Sequence, residues 1–258
     1  MTRTKTIVLV VAVLLIAAVV AVKMIFFPSV KDAWFQVNRQ KLKQAPAGLV
    51  IVRPTHFPKS PTNGMTFANV KGKRRMAGRN VTFQQLMAMA YNYNPGRVYL
   101  PPSAPKNNFD FLVTALSAPE EHLRAAIQKK TGYTANVEAR DTDVFSLKVE
   151  DPNSSGLKVS DAGEKDDVSP KNGRLYFAHQ HLSVVTDGLE QMLKTPVVDK
   201  TDLTNFYDFS LAWDPQTQRQ IQSGTIDADT GKKILGEWGL ALEPDTASIE
   251  MLVVKKAN

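Results

Sequence analysis

The chain has no cysteine and only four histidines in 258 residues. The missing thiols exclude a disulfide framework, a thiolate-ligated metal and a cysteine nucleophile together, but they do not identify a compartment. No nucleophile-elbow glycine pattern surrounds Ser183 or Ser210, so neither reads as an activated serine. Acidic residues are in deficit: 25 Asp and Glu against 32 Lys and Arg give a formal charge of +7. That balance favours anionic surroundings such as lipid headgroups, nucleic acid or acidic polymers, with a solvated basic surface as the plainer account. What is present is a 43% hydrophobic chain, enough to bury a sizeable core in one large domain or two small ones.

Ile7 to Val22 is uninterrupted apolar sequence, and Met24 to Phe27 extends it past Lys23. At about 1.5 Å per residue, residues 7–27 span about 31 Å, close to one hydrocarbon core. The expectation is a transmembrane anchor over 1–27 that contacts the membrane through 7–27. A cleavable signal peptide, cut near Val19-Val20-Ala21 to give a secreted protein, is the alternative. Arg3 and Lys5 precede the run, while Lys23, Lys31, Arg39, Lys41 and Lys43 follow it. A plain positive-inside count favours the reverse orientation, but long C-terminal domains translocate regardless of such counts. The resulting expectation is a single-pass cell-membrane protein with a cytoplasmic N-terminus and an extracytoplasmic body. Val30, Trp34, Val37 and Lys41, at helical spacing, predict a juxtamembrane stalk over 28–47 lying near the interface.

The remainder reads as two α+β halves, 48–150 and 173–258, joined by a polar linker over 151–172. In the first half, 48–52 is a short strand and 65–81 is loosely alternating, with a basic tip at Lys71-Gly-Lys-Arg-Arg75. Thr82-Phe-Gln-Gln85 is a capping box that opens a helix. A proline-rich connector, a strand at 108–114 and a helix from Ser117 to Gly132 follow. Residues 133–139 and 144–149 then predict a hairpin around Arg140–Asp143. The second half repeats this order. Residues 174–178 form a strand, Ser183 caps a helix with Val185, Leu189 and Met192 on one face, and Tyr207-Asp-Phe209 echoes Phe109-Asp-Phe111. Gly239 stands where Gly132 stood, and 240–243 with 249–254 predict a closing hairpin. An imperfect internal duplication accounts for the repetition. The expected fold is α+β, two similar βαβ-αββ halves with helices on small mixed or antiparallel sheets, preceded by one transmembrane helix.

Several runs resemble one bacterial family of unknown function, the soil-associated paralogous family. They are Val50-Ile-Val-Arg-Pro54, Asn80-Val-Thr-Phe-Gln-Gln-Leu86 with Ala90-Tyr91, and Phe109-Asp110. Further on come Gly156-Leu-Lys158, Pro196-Val-Val-Asp-Lys-Thr201 with Leu203, Tyr207-Asp-Phe209 with Trp213, and Gly239-Leu-Ala-Leu-Glu243. Together they cover about residues 49–254, and the Pro-Val-Val-Asp-Lys-Thr run is the specific one. The chain departs from the family at Asp202 and Asn205, where glycines are usual; both residue types tolerate left-handed backbone. The resemblance implies an exported or membrane-anchored module without established activity, with a role in sensing or docking. Its halves also look like the small domains at the periplasmic mouths of secretins and TonB-dependent receptors, a likeness of fold only.

The candidate chemistry is sparse. His179-Gln-His181 puts two imidazoles on one face of a strand, a partial metal site, but no third ligand is marked by spacing. Asp199, Asp202 and Asp208 lie close enough in sequence for general acid–base work, yet turns select the same residue types. Lys71, Lys73, Arg74 and Arg75 form a basic cluster without the aromatic interleaving of a nucleic-acid site; no nucleic-acid partner is expected. Tyr91, Tyr93 and Tyr99 could form a recognition surface or simply pack. No catalytic residue, cofactor or metal is assigned, and enzymatic activity is not indicated. The leading expectation is a membrane-anchored extracytoplasmic interaction module for a protein or anionic envelope polymer. One alternative is a hydrolase or metal-dependent enzyme using His179, His181 and the Asp199–Asp208 cluster. The other is a sensory ectodomain that binds a small ligand between the two halves.

Overall fold

In the computed structural model, residues 32–57, 64–115, 117–161, 163, 165–215, 217–219 and 228–257 are described. The chain divides into two compact units, Met1–Val81 with Asp110–Pro119, and Thr82–Phe109 with Glu120–Asn258. The division therefore does not fall at 151–172.

In the first unit, a 3-10 helix (Asp32–Phe35) and α1 (Arg39–Gln44) precede β1 (Val50–Pro54), β2 (Gly64–Val70) and β3 (Lys73–Val81). Lys71 and Gly72 both have positive φ, 52° and 73°, the type I′ turn whose twist suits a two-residue hairpin between β2 and β3. With β5 (Phe109–Val113) these strands form a sheet ordered β1-β5-β3-β2. One face of it, Ala68, Ala77 and Leu112, is covered by Phe35 and Leu42, both fully buried, with Trp34 packed alongside. Within the stretch expected as a stalk, residues 32–44 cover one face of this sheet and take Phe35 and Leu42 out of water.

The second unit holds α2 (Phe83–Tyr91), β4 (Val98–Tyr99), α3 (Pro119–Thr131), β6 (Tyr133–Val149), β7 (Leu157–Val159), β8 (Asp167–Lys171) and β9 (Arg174–His181). It continues with α4 (Ser183–Leu193), β10 (Val197–Asp199), β11 (Phe206–Ala212), α5 (Ala228–Glu237) and β12 (Leu240–Lys256). The capping box forms as expected: Gln85 N donates to Thr82 Oγ1 at 3.2 Å, and Thr82 N donates to Gln85 Oε1 at 2.9 Å. Ser183 does not cap α4; Leu182 holds the cap position without a side-chain bond, and Ser183 Oγ sits 3.1 Å from His181 Nδ1. The stretch 151–172 is not a plain linker, because β7 and β8 lie in it. Asn172 and Gly173, with φ of 50° and 71°, make a second type I′ hairpin between β8 and β9.

These strands build a sheet ordered β7-β11-β9-β8, the order of the first unit's sheet with each strand replaced by its counterpart. Neither expected hairpin exists. Instead β6 and β12, 17 residues each, pair antiparallel along their whole length, from Tyr133↔Lys256 to Val149↔Leu240. The middle pair is Asp141↔Ser248. On the flanks, β10 runs parallel to β6 at Phe145–Leu147, and β4 runs parallel to β12 at Leu252–Val253. The ribbon is therefore pseudo-symmetric about its centre. Arg140–Asp143 are exposed or half-exposed residues in mid-ribbon, which is why they resemble a turn in sequence. Pro244 is tolerated because only β6 flanks that part of β12.

The architecture is α+β with several small sheets. The expected transmembrane helix is not supported. No helix among the described residues is long and apolar enough to cross a membrane, and residues 7–27 lie outside the described residues. The expected single-pass anchoring and its orientation fall with it.

Candidate functional site

The second unit's sheet turns Tyr207, Phe209 and Leu211 of β11 towards α4 and α5, because alternate residues of a strand share a face. Across β9, Phe177 is paired with Phe209 and Leu175 with Leu211, and the two phenyl rings stack at 4.9 Å between centroids. Val185, Leu189 and Met192, one helical stripe of α4, face this layer, and Ile234, Leu235 and Trp238 close it from α5. Trp238 is fixed by its indole N–H, which donates to Ser210 O at 2.9 Å.

The layers do not fill the space between them. They enclose a cavity of about 300 Å³ whose lining consists of aliphatic, aromatic, methionine and glycine residues. Among the described residues no acid, base or nucleophile lines it. Those residues can bind a ligand but offer no group with which to transfer a proton. A second cavity of about 490 Å³ lies against the same helices, sharing Leu189, Met192, Gly231 and Leu235, with Glu150, Lys232 and Glu243 among its lining residues.

Two carboxylates, Asp110 fully buried and Asp208 half-buried, organise the sheets rather than a reaction. Asp110, its side chain fully buried, accepts from Asn80 N at 3.0 Å, Thr55 Oγ1 at 2.8 Å and His56 N at 3.0 Å, with Arg53 Nη2 at 3.4 Å. In the other sheet Asp208 accepts from His179 N at 2.9 Å and Ser160 Oγ at 2.6 Å. Asn80 and His179 both have φ of 52°, so in each sheet an aspartate holds the amide of a left-handed residue. At His179 the register of β9 against β11 shifts, a bulge whose N–H the carboxylate satisfies. A third carboxylate, Glu190 of α4, is 1% exposed and accepts from Arg97 Nε at 2.7 Å and Val197 N at 2.9 Å. The Glu190 hydrogen bond holds the Arg97 guanidinium above its usual pKa, and the pair fixes the connector onto α4.

Of the residues singled out by sequence, Asp208 meets His179 only at its backbone N–H, and their side chains do not gather into one site. The His179 ring stacks on Phe206 at 4.2 Å, and His181 meets the same ring edge-on at 6.0 Å. Asp199 is occupied by Thr201 N at 2.9 Å and Thr201 Oγ1 at 2.7 Å, while Asp202 is a left-handed turn residue with φ of 59°. None of these residues lines either cavity, and no group of three metal-capable side chains occurs among the described residues.

The basic cluster also separates. Lys71 and Lys73 are exposed at the turn, and Arg74 lies 4.6 Å over the Phe67 ring. Arg75 is 8% exposed and donates to Leu42 O, Lys43 O and Ala45 O, closing the C-terminus of α1. The tyrosines pack: the Tyr91 hydroxyl accepts from Ala135 N at 2.9 Å, and Tyr93 donates to Glu250 O at 3.1 Å. Tyr99 lies under the Arg140 guanidinium at 4.0 Å. The cavity was missed, although the stripe of α4 that lines it was legible; Trp213 and Trp238 were the further signal, since large aromatics flanking one helix mark a thick apolar layer.

No curated protein and no solved structure matches the chain. One family model does match, over residues 84–257, which include α4, β11, α5 and the ribbon. That span starts later than the resemblance over 49–254 and is consistent with a bacterial domain of unknown function. The chain belongs to the family described as "Protein of unknown function (DUF3738)".

Proposed function

We propose that the chain is a binding module whose site is the apolar cavity between the β7-β11-β9-β8 sheet and helices α4 and α5, and that it takes up an apolar ligand there. The cavity itself carries the reading. Its volume of about 300 Å³ stands at the lower end of ligand pockets. It is also about twice the ~150 Å³ of an engineered apolar cavity that admits benzene. The small-ligand alternative drawn from sequence is therefore favoured over the enzyme, although the cavity lies inside the second unit and not at a junction of halves.

Gly188 gives a test that leaves the fold intact. A Cβ there would meet only Met192 Cε at 3.9 Å and Gly188 lines the cavity, so the side chain of Gly188→Leu is expected to grow into it. Replacing a helical glycine also gains up to about 1 kcal/mol of helix propensity. Calorimetric titration with 1-dodecanol is expected to show saturable binding to the parent chain and none to the folded variant. Equal binding to both would refute the site.

A second reading, a protein partner that adds a strand, is favoured by β2, a seven-residue edge strand in the first unit's sheet. An N-methylated peptide, unable to form the strand ladder, should then lose to its unmethylated parent in binding.

A further inference from the structure

The second cavity differs from the first in one respect: it carries charge. Glu150, Lys232 and Glu243 are among its lining residues, while Phe145, Leu240 and Leu242 keep its floor apolar. Both cavities use Leu189 and Met192 of α4 and Gly231 and Leu235 of α5 as wall, so the apolar cavity and the charge-bearing one adjoin along the same helix pair. A ligand long enough to use both must change polarity along its length.

The rim also bears on the head group. Glu243 is engaged by Lys148. Glu150 and Lys232 have no ion-pair partner among the described residues, one unmatched charge of each sign on one rim. A purely anionic head would face Glu150, and a purely cationic one Lys232. A head carrying both charges can satisfy both. We infer that the ligand is a single-chain amphiphile with a zwitterionic head, its hydrocarbon tail in the apolar cavity and its head between Glu150 and Lys232. This rests on the reading of the apolar cavity as the binding site.

Four probes with the same twelve-carbon chain separate the two statements: dodecylphosphocholine, dodecyltrimethylammonium, dodecanoate and 1-dodecanol, each titrated below its micellar concentration. An exposed charge contact is worth up to about fivefold in Kd. Dodecylphosphocholine is therefore expected to bind several-fold tighter than each of the other three. Glu150→Gln and Lys232→Gln should each erase that margin, with the affinity for 1-dodecanol unchanged. Gly188→Leu should abolish binding of all four. Equal affinity across the heads, a preference for a singly charged head, or a margin untouched by both rim variants would overturn the zwitterionic assignment while leaving the cavity standing. Failure of 1-dodecanol to bind, or binding that survives Gly188→Leu, would overturn both.

Discussion

The sheets β1-β5-β3-β2 and β7-β11-β9-β8 share one strand order, and their hairpins turn on the same pair of left-handed residues. They differ in what their faces are built to meet. In the first, Ala77 and Leu112 lie under Phe35 and Leu42; the alanine is small enough to let that cover approach. The corresponding positions in the second are Tyr176 and Ser210, paired across β9 and β11, and Tyr176 is exposed. On the opposite faces, Phe111 packs where a Cβ on Gly78 would overlap its ring, whereas Phe177 stacks against Phe209 and stands in the wall of a cavity. A duplicated topology therefore fixes the hydrogen-bond frame, and the side chains on each face decide whether it meets a cover, water or an apolar cavity.

The largest contrast should appear at the two aspartates. Asp110→Ala removes the acceptor of Asn80 N, Thr55 Oγ1 and His56 N, while Arg53 keeps Asp32 as a partner, and is expected to cost about 3–5 kcal/mol. Asp208→Ala, in the more exposed sheet, should cost about 1–3 kcal/mol. Urea midpoints for the pair would test this, and equal losses would show that burial does not separate the two sheets.

The glycines that start the ribbon come next. Gly132 and Gly239 have φ of 74° and 71°, but only at Gly239 would a Cβ run into backbone, the carbonyl of Asp151. Gly132→Ala should therefore cost about 1–2 kcal/mol of left-handed strain. Gly239→Ala should exceed it by about 1–3 kcal/mol of overpacking. A thermal-melting comparison in which Gly132→Ala is the worse variant would break the argument.

Within the basic cluster, Arg75→Ala frees three carbonyls at the end of α1 and is expected to lose about 1–3 kcal/mol. Lys73→Ala, exposed at the hairpin, should stay within about 0.5 kcal/mol. The smallest effect concerns Asp32, whose carboxyl is held below its usual pKa by the hydrogen bond from Arg53. A depressed carboxylate stabilises the fold above its ordinary pKa, and the contribution is lost as pH falls through the lowered value. Because this pair is solvent-screened, Asp32→Asn should cost under about 1 kcal/mol at neutral pH and nothing in strong acid. A pH series of denaturation midpoints would show the difference closing on the acid side.

Local features were legible where a short stretch contains its own physics. Thr82-Phe-Gln-Gln85 closes a capping box with no help from elsewhere. Val185, Leu189 and Met192 show a helix face by spacing, and Phe109-Asp-Phe111 with Tyr207-Asp-Phe209 betray repetition by simple likeness. The ribbon was not legible, because Arg140–Asp143 are polar for the reason a turn would be: they face water. Asn172-Gly173 was available as a hairpin signal and lay hidden in a polar stretch that reads as linker. The roles of His179, His181 and Asp199–Asp208 depended on distances between side chains, which composition cannot supply.

The sequence by itself determined the α+β alternation, the absence of thiol chemistry, the capping box at Thr82, and membership of the family. Those follow from backbone preferences and side-chain periods that act over a few residues. Only the tertiary structure decided that β6 pairs with β12 and not with itself, that Arg75 serves α1, and that the layer between β9, β11, α4 and α5 holds an unfilled apolar space. Pairing across about a hundred residues and the volume left between packed layers are properties of the whole arrangement, so no local stretch of chain encodes them.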